Sequence, residues 1–183
     1  MRILTLSGSL RARSTNGSLL RAARTLTEAD GTAVTTADIG GLPHFNPDLD
    51  GEGAVAPAPV AALRKSVAEA DAVLVVSPEY AHGVPGVLKN ALDWLVSSGE
   101  FIDRRVGVIT ASPSPTGGDY ANAQLRETLR MMTGTVVDES CLTVGTISAK
   151  LDRDTGEIAD PELTAQLKTA LQALTPNPTT TTA

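Results

Sequence analysis

The chain is almost without rings: two tyrosines, two phenylalanines and one tryptophan in 183 residues. Its core must therefore be aliphatic, and a ligand would find few aromatic side chains to cover it. A single cysteine, Cys141, excludes an intramolecular disulfide and a cysteine metal cluster. Set in "ESCLTVG", it reads as a small buried hydrophobe. The two histidines, His44 and His82, stand far apart without metal-ligand spacing. No apolar run approaches the roughly 18 residues of a membrane helix, and Met1 leads straight into an apolar segment without a secretory leader. A cytoplasmic protein with no membrane partner is expected. The net charge of −6 also argues against nucleic acid as a partner. Positive charge is nonetheless concentrated, since Arg2, Arg11, Arg13, Arg21 and Arg24 crowd the N-terminal end. Such clustering suits a small anionic ligand better than a polyanion.

Short apolar runs alternate with helical periodicity from end to end. Strands are expected at 2–7, 32–38, 71–77, 105–111 and in "TVVDESCLTVG". Helices are expected over about 16–29, in "VAALRKSVAEA", over about 85–96 and 119–132, and in "DPELTAQLKTALQAL", where Asp160 caps and Pro161 opens the first turn. Between the second strand and second helix lies a turn-rich passage with four prolines. The end, "TPNPTTTTA" (175–183), has nothing to bury and is expected to be a disordered tail behind one domain, 1–174. Five βα units imply an α/β three-layer sandwich with a five-stranded parallel sheet. The chain is too short for the six-stranded dinucleotide fold, which leaves the flavodoxin-like order 2-1-3-4-5, with its ligand beyond strands 1, 3 and 4.

The loops at those three positions are unusual. The first, "SGSLRARSTNGS", has no lysine for a P-loop and places Leu10 and Arg13 where a dinucleotide fingerprint needs glycines. It is rich in hydroxyls, with Arg11 and Arg13 among them, which fits either a phosphate monoester at a helix start or an ordinary helix cap. After strand 3 comes "SPEYAHGVPG", with Pro78 and Pro85 to stiffen it and Tyr80 and His82 to supply rings and donors. After strand 4 comes "SPSPTGG", where Gly117-Gly118 can turn N–H groups toward a ligand edge. One loop shaped for phosphate and two for a flat, hydrogen-bonding ring describe FMN.

The stretches "GSLRARSTN", "SPEYAHGVPGVLKNALDW" and "SPSPTGG" resemble the NADPH-dependent FMN reductase family of quinone, azo-dye and chromate reductases, over Met1 to about Leu174. The resemblance implies noncovalent FMN and a homodimer or tetramer with the flavin near the subunit interface. It also implies hydride transfer from NADPH or NADH to the flavin, then two-electron reduction of a quinone, free flavin or similar small acceptor. By position, Ser9, Arg11, Ser14 and Asn16 would hold the phosphate. Pro78, Glu79, Tyr80, His82 and Gly83 would line the ring, largely through backbone groups, and Ser112, Gly117 and Gly118 would close the other side. Many members carry asparagine after Pro-Glu-Tyr, where this chain has Ala81. His82 is either a proton donor to the acceptor or a positioning residue, and Trp94 either core or a dimer contact. Arg13, outside the matched phosphate positions, is either solvated or paired with an acidic neighbour, or else a site for the 2′-phosphate of NADPH. Two other readings stay open: a flavodoxin-type electron carrier, and an FMN enzyme of a biosynthetic pathway.

Overall fold

Each apolar run becomes a strand of one parallel sheet in the computed structural model, which describes residues 1–28, 31–51 and 53–175. The elements alternate as β1 (Arg2–Ser7), α1 (Thr15–Glu28), β2 (Ala33–Thr36), α2 (Ala58–Ala68), β3 (Ala72–Ser77), α3 (Gly86–Asp93), β4 (Arg105–Ala111), α4 (Asp119–Met131), β5 (Thr135–Val144) and α5 (Pro161–Leu174). The five strands lie in the order β2-β1-β3-β4-β5. Helices α1 and α5 cover one face, where Leu19, Ala23, Leu163 and Leu167 pack on Ile3, Leu74 and Ile109. On the other, Leu63, Val67, Leu88, Leu92, Leu125 and Leu129 of α2, α3 and α4 pack on Leu4, Val73, Val75 and Val108. Central strand β3 is buried along its whole length, which is why "AVLVVS" carries no polar alternation. The expected three-layer fold and strand order are those observed.

Boundaries moved where side chains compete with the backbone. β2 ends at Thr36 rather than residue 38, because Asp38 turns back to accept a hydrogen bond from the Gly40 N–H at 2.9 Å. α2 begins earlier than expected, with Pro57 at its cap and Pro59 inside its first turn, where a missing N–H costs nothing. α3 stops at Asp93, and Trp94–Val96 continue only as turns. The expected tail lies almost wholly in 176–183, outside the described residues. Cys141 is half-buried rather than buried; its S–H donates to the Val137 carbonyl, and burial pushes the thiol pKa up.

The long passage between β2 and α2 is strapped to the end of α3. Asn90 holds it from both sides, accepting from Phe45 N–H at 2.7 Å and donating to the Pro43 carbonyl at 3.0 Å. The Trp94 indole N–H donates to the same carbonyl at 2.9 Å, and Phe45 meets the indole edge-on. Trp94 is fully buried within its own chain, so its ring has no surface to offer a dimer contact. Further along the strap, Arg64 of α2 donates to Asp50 at 2.6 Å and to the Trp94 carbonyl at 2.7 Å, while Ser97 also donates to Asp50. Burial alone would raise the Asp50 carboxyl; hydrogen bonds from Ser97 and Arg64 and the guanidinium charge outweigh it and hold the group below its ordinary value.

A carboxyl held down in the folded state contributes stability above its unfolded pKa and loses it as pH falls through the folded one. Asp50→Asn should therefore cost about 1–3 kcal/mol near neutral pH. Urea unfolding of both proteins should show that difference shrinking as the pH is taken below about 4, the ordinary carboxylate value.

Candidate active site

Strand register brings three loops to one edge. Ser7 pairs with Val76, and Ser77 with Thr110, so β1, β3 and β4 all end at the same level. The first loop leaves past the end of β3 so closely that a Cβ on Gly8 would lie 2.3 Å from Ser77 Oγ; only glycine passes here. Ser7 Oγ then donates to the Ser9 carbonyl at 3.0 Å, and Ser9 Oγ accepts from the Arg11 N–H at 3.3 Å. Ser14 is the helix cap, accepting from the Gly17 N–H at 2.9 Å. The N–H groups of Thr15 and Asn16, in the first turn of α1, take no acceptor among the described residues. Asn16 is buried, and its Oδ1 has no hydrogen-bond partner among the described residues. Arg11 and Arg13 are exposed, and neither enters an ion pair among the described residues.

The second loop is folded on itself. Tyr80 and Gly83 exchange two backbone hydrogen bonds of 3.0 Å, closing a two-residue hairpin. Its central residues, Ala81 and His82, have φ of 50° and 58°. Left-handed backbone at both positions is the turn that asparagine and glycine favour, and alanine enters it at a cost of about 1–2 kcal/mol. The helix α4 holds this turn in place. Gln124 donates to the His82 carbonyl at 3.2 Å, and the His82 ring meets the Tyr120 ring edge-on at 4.6 Å between centroids. Tyr80 and Tyr120 are both more than half exposed.

Glu79 ties the second loop to the third. Gly118, at the α4 cap position with φ of 81°, has no side chain to cap with, and Glu79 Oε2 accepts from the Ala121 N–H at 2.9 Å instead. A carboxylate there also meets the positive end of the helix dipole. Gly118 comes within reach because it lacks a Cβ, which would sit 3.1 Å from the Glu79 Cβ. Gly117 is buried against the end of β5, where a Cβ would lie 2.6 Å from Val144 N. The two glycines thus shape the loop from beneath. Ser112, half-buried, accepts from the Ser114 N–H at 3.1 Å and anchors the loop start.

The family model described as NADPH-dependent FMN reductase matches residues 1–149. The chain belongs to that family. It is 34% identical over 173 residues to a quinone reductase of Escherichia coli K12, covering 91% of this chain and 92% of the relative. A NAD(P)H-dependent FMN reductase of Pseudomonas aeruginosa is 31% identical over 176 residues, 95% of this chain and 93% of the relative. Among solved structures, the flavoenzyme NAD(P)H:(acceptor) oxidoreductase FerB from Paracoccus denitrificans superposes with a TM-score of 0.80 at 27% identity, covering 94% of each chain. This FMN reductase family member is an oxidoreductase that uses FMN with a nicotinamide nucleotide.

The residues present fit a bound flavin mononucleotide. Among the described residues, N–H groups without an acceptor at the start of α1, a buried amide with an unmet oxygen, and an Arg11 outside any ion pair offer donors and an acceptor to a phosphate and its hydroxylated chain. Ser9, Arg11 and Ser14 stand in the first loop and Asn16 in the first turn of α1, while Pro78 through Gly83 follow the end of the neighbouring strand β3. Sequence reasoning missed Gln124 and Tyr120, which carry no motif of their own; their spacing on the outer face of α4 reads only as solvated surface.

Two outcomes test this geometry. Ala81→Asn should raise stability by about 1 kcal/mol by relieving left-handed strain, seen as a higher urea midpoint. Glu79→Ala should lower it by about 0.5–2 kcal/mol, the range of a lost helix cap, and weaken FMN binding in a flavin-fluorescence titration because both loops shift.

Proposed function

We propose that this protein takes hydride from NADPH or NADH onto noncovalently bound FMN and delivers two electrons to a quinone, free flavin or similar small acceptor. The observation that carries the reading is the start of α1: a buried Asn16 oxygen and backbone N–H groups that lack partners among the described residues, close in sequence to Arg11, at the sheet edge where β1, β3 and β4 end. Bound there, FMN would supply all the redox chemistry.

The chain's own part is to bind, orient and expose. Ser9, Arg11 and Asn16 take the phosphate and the polar chain next to it, while Ser14 keeps the helix start in shape. Pro78 to Gly83 form a stiffened wall for the ring, and Ser112, Gly117 and Gly118 set the height of the opposite one. Donors at fixed positions around a ring favour its anionic reduced form over water, because they need not reorient as charge develops. With only Tyr80, His82 and Tyr120 as rings near the edge, the flavin face stays open for nicotinamide and acceptor in turn. His82, exposed and propped by Tyr120, is a positioning residue at that opening. Exposed Tyr80 and Tyr120 beside it support a subunit contact close to the flavin, in a homodimer or tetramer. A cytoplasmic location goes with this reading, because reduced nicotinamide nucleotides are produced and held there.

One FMN should bind per chain, and Arg11→Ala should weaken FMN by about 10- to 150-fold while leaving riboflavin nearly unchanged, the effect of losing one charge-assisted hydrogen bond to phosphate. Fluorescence titration with both flavins checks it; equal losses would remove Arg11 from the phosphate. Light scattering should report a multiple of the 18.9 kDa chain mass.

A further inference from the structure

The two arginines of the first loop are divided between two places. Arg13 lines a hollow of about 500 Å³ on the α1/α5 side of the sheet edge, and Arg11 does not. Its walls are the start of α1, with the cap residue Ser14 and with Thr15, Ser18 and Arg21, and the segment between β5 and α5, with Ser148 and Arg153. That segment is a built feature. Leu151 and Ile158 pair as an antiparallel bridge and pack on the core, while the Asp152 N–H donates to the Glu157 carbonyl at 2.8 Å and the Gly156 N–H to the Asp152 carbonyl at 2.9 Å. Arg21 fastens it to α1, donating to Ser18 Oγ at 3.0 Å and to the Gly156 carbonyl at 3.5 Å.

Charge in the hollow is arranged for an anion. Arg13, Arg21 and Arg153 enter no ion pair among the described residues. Two carboxylates share the rim, but Asp152 is engaged inside the turn. Its Oδ1 accepts from the Thr155 N–H at 2.8 Å, the Thr155 hydroxyl at 2.9 Å and the Asp154 N–H at 3.0 Å, and these donors hold its pKa below the ordinary value. Three guanidinium groups against Asp152 and Asp154 leave an excess of one positive charge, on a chain whose net charge is −6. The hollow continues along α1, past Ser18 and Arg21, into a second of about 470 Å³ walled in part by Ala22, Leu26 and Ile158. Arg24, Thr25, Glu157 and Thr164 complete its lining, so a planar base can lie against Ala22, Leu26 and Ile158 with polar groups at its edges while a phosphate meets the arginines and hydroxyls.

We propose that this groove binds the adenosine 2′-phosphate end of NADPH, with Arg13, Arg21 and Arg153 as the residues that select NADPH over NADH. The proposal rests on the flavin reading above and deepens it: the first loop would hold two phosphates, that of FMN on the Arg11 side and that of the nicotinamide nucleotide on the Arg13 side. A phosphomonoester carries close to two negative charges near neutral pH and three terminal oxygens, which a fork of guanidinium groups and hydroxyls satisfies. NADH presents only a ribose hydroxyl there and gains little from three arginines.

Arg153 is the informative position, since it is exposed in a turn and outside the residues assigned to FMN, whereas Arg21 also fastens the hairpin. Calorimetry on the FMN-loaded protein should show adenosine 2′,5′-bisphosphate binding at least about tenfold tighter than adenosine 5′-monophosphate, as for one charge-assisted contact. Arg153→Ala should remove most of that difference, Arg153→Lys should restore part of it, and the contrast should shrink as salt rises. In steady-state assays Arg153→Ala should raise KM for NADPH and leave NADH unchanged. Equal binding of the two adenosine nucleotides by the unmodified protein would overturn the proposal. So would an Arg153→Ala protein that loses FMN affinity but keeps its preference for the bisphosphate, because the groove would then belong to the flavin phosphate. The FMN titration of the unmodified protein reports on the flavin reading alone, and the contrast between the two nucleotides on the groove alone.

Discussion

One carboxylate holds the edge of the sheet together. The loops after β3 and β4 leave the sheet at the same edge, and contacts between them fix their relative position. Glu79 joins them by accepting from the N–H of Ala121, at a helix start that Gly118 leaves without a cap of its own. The same helix reaches back through Gln124 and Tyr120 to hold the strained Ala81–His82 turn. Loop geometry at the site is thus an extension of α4, and α4 in turn is packed on the sheet through Leu125 and Leu129. A site assembled this way is preorganised, which is what electrostatic stabilisation of a charged reduced cofactor requires.

The architecture was legible because each level of the sequence agreed with the next. The uninterrupted apolar run 72–77 could only be a strand covered on both faces, and five such runs separated by helices leave few topologies. The helix cap in the first loop was legible for a related reason: Ser14 acts close to where it stands in sequence, three positions from the N–H it caps. What could not be read acts at a distance. Nothing about Glu79 announces a partner 42 residues away, and nothing about alanine announces a positive φ. The tryptophan was similarly ambiguous, since an indole suits an interface as well as a core; only the Pro43 carbonyl beneath its N–H decides the matter.

The Asn90–Trp94 pair also changes how the long motif of α3 is understood. Its glycine and proline serve the loop after β3, while its asparagine and tryptophan face the other way and secure the strap from Pro43 to Phe45. A single helix therefore fastens two loops, one bordering the site and one filling the flank of the sheet beside it. Gly40 shows how close those regions are: a Cβ there would meet the Leu10 side chain of the first loop at 3.2 Å.

Trp94 has one more consequence. It is the chain's only indole, sealed beneath the strap and fully buried. Its emission therefore comes from a single known place, on the α2–α4 face of the sheet, and is free of overlap from any second tryptophan. Loosening of the strap would let water reach the ring and shift that emission to longer wavelength, even while the sheet stayed folded. The protein carries its own optical gauge for local opening on that flank.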